Sequence, residues 1–214
     1  EIAIYAEVPN ARQMVMSESG VLFVGNRNKD KVYAVVDTDG DMKAETVHVI
    51  DEGLNMPNGV ALKDGDLYVA EVNRILRYKN IEADLTNPPK AEVVYGDYPT
   101  EKHHGWKYIA FGPDGKLYVP VGAPCNICEN LDNPEFASIT RLDVDNPGKP
   151  EVVAHGVRNT VGFDWDPNTG RLWFTDNGRD MMGDDIPPCE LNVVINEGDH
   201  FGYPYFHGGT IEDP

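Results

Sequence analysis

The sequence predicts an all-β protein, specifically a β-propeller of four-stranded blades, and three observations support this prediction. A Gly turn followed by a strand that begins with an aliphatic and an aromatic residue occurs four times: Leu22-Phe23-Val24, Leu67-Tyr68-Val69, Leu117-Tyr118-Val119 and Leu172-Trp173-Phe174. The repeat returns every 50 residues or so, roughly the length of a propeller blade. With 21 Gly and 16 Pro among 214 residues, and no run of strong helix formers, the composition favours short strands and many turns.

The four repeats predict four blades within a single domain spanning residues 1–214. Their boundaries fall at about residues 2–42, 46–90, 91–144 and 151–195. Val47 to Ile50 is predicted as the first strand of the second blade, and residues 196–214 as a connection between blades. An open sheet edge exposes unpaired backbone groups, so we expect the intact protein to continue into further blades.

Two insertions interrupt the repeats at the same point, directly after the strand led by Leu and an aromatic residue. They span residues 124–136 in the third blade and 178–188 in the fourth. Equivalent insertions in consecutive repeats lie on one face of a repeat protein, which is often its binding face. We therefore expect both loops to border the functional site.

The charge balance excludes some partners. The net charge is −18, from 36 acidic and 18 basic residues, and this field repels nucleic acid. A neutral or cationic small molecule or a divalent cation is compatible with it. No stretch reaches the ~20 apolar residues of a transmembrane helix. The acidic segment Asp37-Thr38-Asp39-Gly40-Asp41 lacks the spacing of an EF-hand loop and is predicted to be a hairpin turn.

The three cysteines include one close pair, Cys125 and Cys128, in a C-x-x-C arrangement. A thioredoxin-type redox motif needs a βαβ setting, whereas this pair follows a strand of an all-β repeat, so a structural disulfide is favoured. Closing so short a loop contributes about 2 kcal/mol in the chain-entropy model. A disulfide predicts an oxidising compartment, periplasmic or secreted, and leaves Cys189 as the odd thiol.

Polar residues stand immediately before each predicted inner strand. They are Arg12-Gln13, Asn58, His103-His104 and Arg158-Asn159. In a propeller these positions converge on the mouth of the central channel, where His, Arg and Asn suit proton transfer beside an anion. Taken singly, each residue is equally compatible with a hydrogen-bonded loop or a surface ion pair. Their equivalent placement is what points to a site.

Several longer motifs resemble the soluble PQQ-dependent sugar dehydrogenases, in particular the sorbosone dehydrogenase-like branch. The motifs that carry the resemblance are His103-His104-Gly105-Trp106, Phe111-Gly112-Pro113-Asp114-Gly115, Gly156-Val157-Arg158-Asn159, Met56-Pro57-Asn58-Gly59, Thr175-Asp176-Asn177-Gly178 and Gly183-Asp184-Asp185-Ile186. The resemblance extends over essentially the whole chain and implies a six-bladed propeller. It also implies oxidation of a sugar, sugar aldehyde or polyol with pyrroloquinoline quinone (PQQ) and calcium as cofactors.

The resemblance further implies roles for individual residues. His104 matches the general base that takes the proton of the substrate hydroxyl, a role that suits an imidazole near neutral pH. The matched cofactor-binding residues are Arg158, Asn159 and Arg12. The matched calcium ligands are the main-chain carbonyls of Gly178 and Arg179, with Glu190, Phe201 and His207 near a second, structural calcium.

The chain departs from the family pattern in three places. Many glucose-oxidising members have an Asp that orients the catalytic His where this chain has Ala123, so another group must fix the imidazole here. Cys189 stands where relatives usually have an acidic residue. Lys and Arg residues that the family supplies from later blades have no counterpart in this sequence, so the remaining blades are expected to be needed.

Two other functions remain open from the sequence. A lactonase-type propeller hydrolase would use a metal ion held by side chains such as Asn58, Asn159 and Asp176. A non-catalytic propeller would bind a partner through its loops. The sequence identifies neither the sugar nor the electron acceptor.

Overall fold

The computed structural model describes residues 2–129 and 132–214 and is all-β apart from one 3₁₀ turn at Ile81–Ala83. The chain forms two compact units, Glu1–Asp97 and Tyr98–Pro214. No helix within the described ranges is both long and apolar enough to cross a membrane.

The first unit begins with a four-stranded antiparallel sheet in the order β1-β2-β3-β4. Its strands are β1 (Ala11–Met16), β2 (Leu22–Asn26), β3 (Val32–Val36) and β4 (Thr46–Asp51). The acidic turn joins β3 to β4, and the Asp37 carboxylate accepts the N–H groups of Gly40 (2.7 Å) and Met42 (3.0 Å). The predicted hairpin turn is therefore confirmed.

A second four-stranded antiparallel sheet completes the first unit, in the order β5-β6-β7-β8. Its strands are β5 (Gly59–Lys63), β6 (Asp66–Ala70), β7 (Ile75–Tyr78) and β8 (Glu92–Tyr95). Alternating apolar side chains of the two sheets pack into one core that includes Phe23, Val60 and Leu67. The Gln13 amide also links the inner strands, donating to the Val60 carbonyl at 2.9 Å.

The second unit contains one sheet of five strands and one of three. The first has the order β16-β12-β11-β10-β9 and the next the order β13-β14-β15. The strands are β9 (Ala110–Phe111), β10 (Leu117–Val121), β11 (Ser138–Leu142), β12 (Glu151–His155), β13 (Phe163–Trp165), β14 (Leu172–Asp176), β15 (Glu190–Val193) and β16 (Asp199–His200). A final hairpin pairs β17 (Phe206–His207) with β18 (Ile211–Glu212).

Strand pairing corrects two sequence-based assignments. The strand at Val47 to Ile50 pairs with β3 and closes the first sheet, so its prediction as the start of the second blade is wrong. Glu151 to His155 likewise pairs with β11 as an outer strand. Residues 196–214 are more than a connection, because β16 pairs in parallel with β12 and the β17–β18 hairpin follows.

The two insertions lie where the sequence predicts them. One joins β10 to β11 and the other joins β14 to β15, in each case directly after the strand led by Leu and an aromatic residue. Residues 130 and 131 of the first insertion lie outside the described residues. The Asn126 side-chain amide donates to the Asp180 carbonyl at 3.1 Å, so the insertions meet on one face of the second unit.

Each unit also exposes apolar side chains on a sheet face. In the first sheet, Met14 and Met16 of β1 are 57% and 53% exposed. In the β13-β14-β15 sheet, Trp173 and Leu191 are 39% and 67% exposed. These side chains are large for solvent-facing positions of a strand.

Candidate functional site

His104 lies in a tight turn of the second unit, between β8 and β9. The Gly105 N–H donates to the Lys102 carbonyl at 3.0 Å and closes the turn. His104 itself has a φ of 51°, in the left-handed region that a side chain with a Cβ rarely adopts. Such backbone conformations cluster at functional sites, where surrounding contacts hold them in place.

A buried lysine supports this turn from below. Lys107 is 1% exposed, and its ammonium donates to the Gly105 carbonyl at 3.2 Å and lies 5.4 Å from the centre of the Tyr98 ring. Burial lowers the pKa of Lys107 to about 7. Nothing in the local sequence distinguishes this lysine from an exposed one, and sequence reasoning missed it.

The His104 imidazole is oriented by a main-chain oxygen. Its Nδ1 lies 2.9 Å from the carbonyl oxygen of Ala123. A carbonyl can only accept, so Nδ1 carries the proton and Nε2 keeps its lone pair. The backbone of residue 123 thus provides the acceptor that its side chain lacks.

The close approach of His104 to this strand end depends on Gly122. A Cβ at position 122 would lie 2.5 Å from the Cβ of His104 and 2.8 Å from its carbonyl oxygen. Real Cβ contacts are not this short, so only glycine allows the turn to pack here. The absence of a side chain at residue 122 thus allows the imidazole to come within hydrogen-bond distance of its acceptor.

The backbone of Ala123 also bonds to Arg158. The Ala123 N–H donates to the Arg158 carbonyl at 2.8 Å, while its carbonyl binds His104. Directly behind, the buried Asp176 carboxylate accepts the main-chain N–H groups of Arg158 (2.8 Å) and Asn159 (2.6 Å). The structure therefore brings His104 and Arg158 together, and Asp176 fixes the backbone of Arg158 and of Asn159 next to it.

The Arg158 side chain is 4% exposed and is held mainly by neutral oxygens. Its Nε and Nη2 donate to the main-chain and side-chain oxygens of Asn126, at 2.8 and 2.7 Å. Its Nη1 donates to the Asn177 carbonyl at 3.0 Å. The Asp180 carboxylate lies 3.5 Å from Nη2 and is 78% exposed. Asn126 carries no sequence signal for this contact.

Burial and charge set the protonation states here. Burial, the Arg158 charge and His103 together lower the pKa of His104 to about 4, against smaller opposing effects of the Ala123 carbonyl and Asp180. The imidazole is thus neutral at pH 7. Burial raises the pKa of Asp176 to about 7, although its two N–H bonds act in the opposite direction. Burial also lowers the pKa of Arg158, which as a guanidinium remains charged.

The predicted disulfide between Cys125 and Cys128 is present. The hydroxyl of buried Tyr203 lies 3.5 Å from both sulfur atoms and accepts the Cys128 N–H at 3.0 Å. Tyr203 packs with Ala123 in a small apolar cluster, so the disulfide loop is anchored beside the His104 acceptor. Cys189 is an exposed free thiol.

The predicted calcium ligands lie at three places: Gly178 and Arg179 in the second insertion, Glu190 at the start of β15, and Phe201 and His207 after β15. The Glu190 carboxylate accepts the Gly208 N–H at 2.6 Å, which places it beside His207. His207 is buried and pairs with Asp213 at 2.9 Å. The Arg179 guanidinium binds the same carboxylate of Asp213.

Phe201 packs edge-on against Phe174, with ring centres 4.8 Å apart, and so contributes to the core. Gly178 lies against the second insertion's proline pair, its ideal Cβ position 3.0 Å from Pro187 Cγ. Among the described residues, the cluster of acidic side chains close enough to share a cation is at another place, Asp37, Asp39, Asp41 and Glu45. The assignment of calcium ligands stays a prediction.

The remaining predicted residues belong to the first unit. Arg12 is an exposed residue of β1, and Asn58 is a buried residue directly before β5. The Asn58 N–H donates to the Met56 carbonyl at 2.7 Å. A cofactor contact by Arg12 stays a prediction.

Comparison with solved structures shows the fold. The carbohydrate-active enzyme of family AA12 from Trichoderma reesei superposes with a TM-score of 0.78 at 20% identity, covering 91% of this chain and 55% of that chain. The PQQ domain of pyranose dehydrogenase from Coprinopsis cinerea, in its holo form, gives 0.76 at 15% identity, with 91% and 54% covered. The PQQ-bound aldose sugar dehydrogenase from Streptomyces coelicolor gives 0.70 at 23% identity, with 97% and 67% covered. The predicted β-propeller fold class is confirmed.

Comparison of sequences identifies the family. An uncharacterized protein of Borreliella burgdorferi is 28% identical over 218 residues, covering 97% of this chain and 55% of that protein. This chain thus spans about half the length of the curated relative. The family model of a domain of unknown function, DUF7133, matches residues 6–199. Since that match covers most of the sequence, the chain belongs to the DUF7133 family.

Proposed function

We propose that this chain carries the general-base side of the active site of a PQQ- and calcium-dependent dehydrogenase that oxidises a sugar, sugar aldehyde or polyol. One observation supports this most directly. His104 has its Nδ1 bound to the Ala123 carbonyl at 2.9 Å, which leaves Nε2 as a neutral base, and Arg158 adds a nearby positive charge. A neutral base can take a hydroxyl proton, and a positive charge next to it can stabilise an anionic cofactor. The sorbosone dehydrogenase-like branch is part of the proposal.

His104 accepts the proton of the substrate hydroxyl at Nε2. The Ala123 carbonyl holds the ring in the required tautomer and accepts a stronger hydrogen bond once the imidazole becomes positively charged. A carbonyl carries no full charge, so it stabilises the imidazolium less than a carboxylate does. His104 is therefore a weaker base than its counterparts that have an Asp partner.

The residues around His104 fit an anionic quinone. Arg158 is held by neutral oxygens, and the Asp180 carboxylate 3.5 Å from its Nη2 is exposed, so this carboxylate compensates the guanidinium charge only in part. Arg158 and Asn159 would hold the quinone, and the Gly178 and Arg179 carbonyls would hold calcium, a hard ion that prefers oxygen ligands. Bound PQQ supplies a two-electron acceptor for the substrate hydride, and calcium polarises its carbonyl.

The hydrolase alternative is disfavoured by Asp176. Both oxygens of this carboxylate accept main-chain N–H groups, at 2.8 and 2.6 Å. These bonds use one lone pair of each oxygen, and fewer remain for a metal ion. Asp176 thus serves the backbone of Arg158 and Asn159.

The exposed apolar faces support a need for further blades. Trp173 and Leu191 lie on solvent-facing positions of the β13-β14-β15 sheet, where a neighbouring blade would bury them. We include in the proposal that the remaining blades of a six-bladed propeller complete the cofactor site. The disulfide supports a periplasmic or secreted location, because such bonds persist in oxidising compartments.

The test uses the full-length protein that contains this chain. Apo-protein is mixed with PQQ, with and without calcium, and the absorbance of the bound quinone is followed. Reduction of an artificial electron acceptor is then measured across aldoses, sugar aldehydes and polyols. The proposal expects reduction only with both cofactors, whereas lactone hydrolysis with metal alone would support the hydrolase. Absence of quinone binding at saturating PQQ and calcium would refute the proposal.

A further inference from the structure

Asn126 lies inside a small covalent ring. The disulfide joins Cys125 to Cys128, so Asn126 and Ile127 are the two residues that the ring encloses. The ring is anchored because the Tyr203 hydroxyl accepts the Cys128 N–H at 3.0 Å and lies against both sulfurs. Tyr203 is 2% exposed. A loop tied at these points restricts the conformations of Asn126 in the folded state.

Asn126 forms hydrogen bonds with two residues, Arg158 and Asp180. It uses its main-chain oxygen and both polar atoms of its side chain. Its main-chain oxygen accepts from Arg158 Nε at 2.8 Å. Its Oδ1 accepts from Arg158 Nη2 at 2.7 Å and from the Asp180 N–H at 2.8 Å. Its Nδ2 donates to the Asp180 carbonyl at 3.1 Å. Asn126 thus holds the guanidinium through two hydrogen bonds, and its bonds to Asp180 connect the first insertion to the second.

The groups that form hydrogen bonds with the Arg158 guanidinium are uncharged, and this affects its net charge. Amide oxygens bind a guanidinium through their dipoles and leave its net positive charge in place, whereas a carboxylate would neutralise it. The Asp176 carboxylate is bonded to main-chain N–H groups instead. Arg158 thus keeps a fixed positive charge near His104, which the solvent-exposed Asp180 carboxylate 3.5 Å away compensates only in part. This charge is the second largest cause of the low pKa of the imidazole.

We propose that Asn126 is the positioning residue for Arg158, holding its guanidinium near His104 from within the disulfide ring while leaving its charge available to an anionic ligand. This rests on the proposed function for the identity of that ligand, the PQQ carboxylates and quinone oxygens. The position of the charge can be tested without the ligand. The first insertion is therefore part of the site through Asn126.

The first measurement is an NMR titration of the His104 ring in the full-length apo-protein. The charged and titratable groups that act on this ring are Arg158, His103 and Asp180. In Asn126→Ala the guanidinium loses one of its two Asn126 contacts and moves, so the pKa of His104 should rise by about half a unit or more, as expected for shifting a unit charge by a few ångströms. Arg158→Met gives the upper limit of this rise.

Two further variants separate geometry from charge. Asn126→Asp keeps the oxygen contacts but neutralises the guanidinium, so it too should raise the pKa of His104. Asn133→Ala is the matched control, because Asn133 lies in the same insertion and its Oδ1 instead accepts the Glu135 N–H at 2.9 Å. This control should leave the His104 titration unchanged.

The second measurement is binding of PQQ in the presence of calcium. Asn126→Ala should weaken binding about tenfold relative to Asn133→Ala, the size expected for loss of a charged hydrogen bond. Asn126→Asp should also weaken binding relative to Asn133→Ala, because it neutralises the guanidinium that attracts the anionic ligand. A His104 titration in Asn126→Ala that coincides with that of Asn133→Ala would overturn the assignment of Asn126. If wild-type protein fails to bind PQQ, the proposed function fails, and the titration still decides the role of Asn126.

Discussion

Alanine at position 122 should displace the imidazole of His104 from its acceptor. The added Cβ would lie 2.5 Å from the His104 Cβ, whereas packed carbon atoms stay about 3.5 Å apart or more, so the turn must retreat by about 1 Å. The bond from His104 Nδ1 to the Ala123 carbonyl, now 2.9 Å, would lengthen beyond hydrogen-bond range. A misplacement of this size lowers turnover by about 10²-fold, and the strain lowers the free energy of unfolding by about 1–3 kcal/mol.

Two assays check this prediction. Turnover is measured by dye reduction in the holoenzyme, and the ring ¹⁵N shifts of His104 report which nitrogen carries the proton, with or without cofactor. Gly162→Ala is the matched control, because an added Cβ there meets no atom within 4 Å. If Gly122→Ala keeps the turnover and the ring shifts of Gly162→Ala, then the Ala123 carbonyl does not orient His104.

Four other outcomes follow from the site and its surroundings. His104→Ala should lower turnover by about 10²–10⁴-fold with PQQ binding mostly retained, and a loss below tenfold would reject His104 as the base. The base must be unprotonated, so kcat/KM should stay level from neutral pH downwards and fall only near the His104 pKa of about 4; an acid limb near 6.5 would contradict the assigned burial and Arg158 effect. Asp176→Asn turns one acceptor oxygen into a donor facing a main-chain N–H, and chemical denaturation should show a loss of about 1–3 kcal/mol. Replacing Cys125 and Cys128 by Ser should lower the free energy of unfolding by about 2 kcal/mol in the same assay, and an unchanged midpoint would show that the ring does not restrain the unfolded chain.

Much of the fold could be predicted from the sequence because a propeller repeats its local signals. The Gly turns and the triplets after them place β2, β6, β10 and β14 directly. Strand membership could not be predicted in the same way. Thr46–Asp51 is equally compatible with closing one sheet or opening the next, and only its pairing with β3 decides this.

The residues of the candidate site whose side chains would carry the chemistry could be predicted from the sequence. The contacts made by the backbone could not. His104 and Arg158 could be proposed because they hold equivalent positions before inner strands and because their motifs resemble those of a known family. The Ala123 carbonyl has no sequence signature, since every residue has one. Asn126 depends on how two insertions meet in space, which neither insertion encodes alone.

The main-chain acceptor at residue 123 has a consequence for how proteins with the proposed function are searched for. A survey that requires an acidic side chain next to the proposed base would exclude this protein. Here the indispensable feature is a missing side chain, because Gly122 is what lets the ring reach the peptide oxygen. A glycine at the position of Gly122 would be a better criterion for such proteins than an acidic residue at position 123.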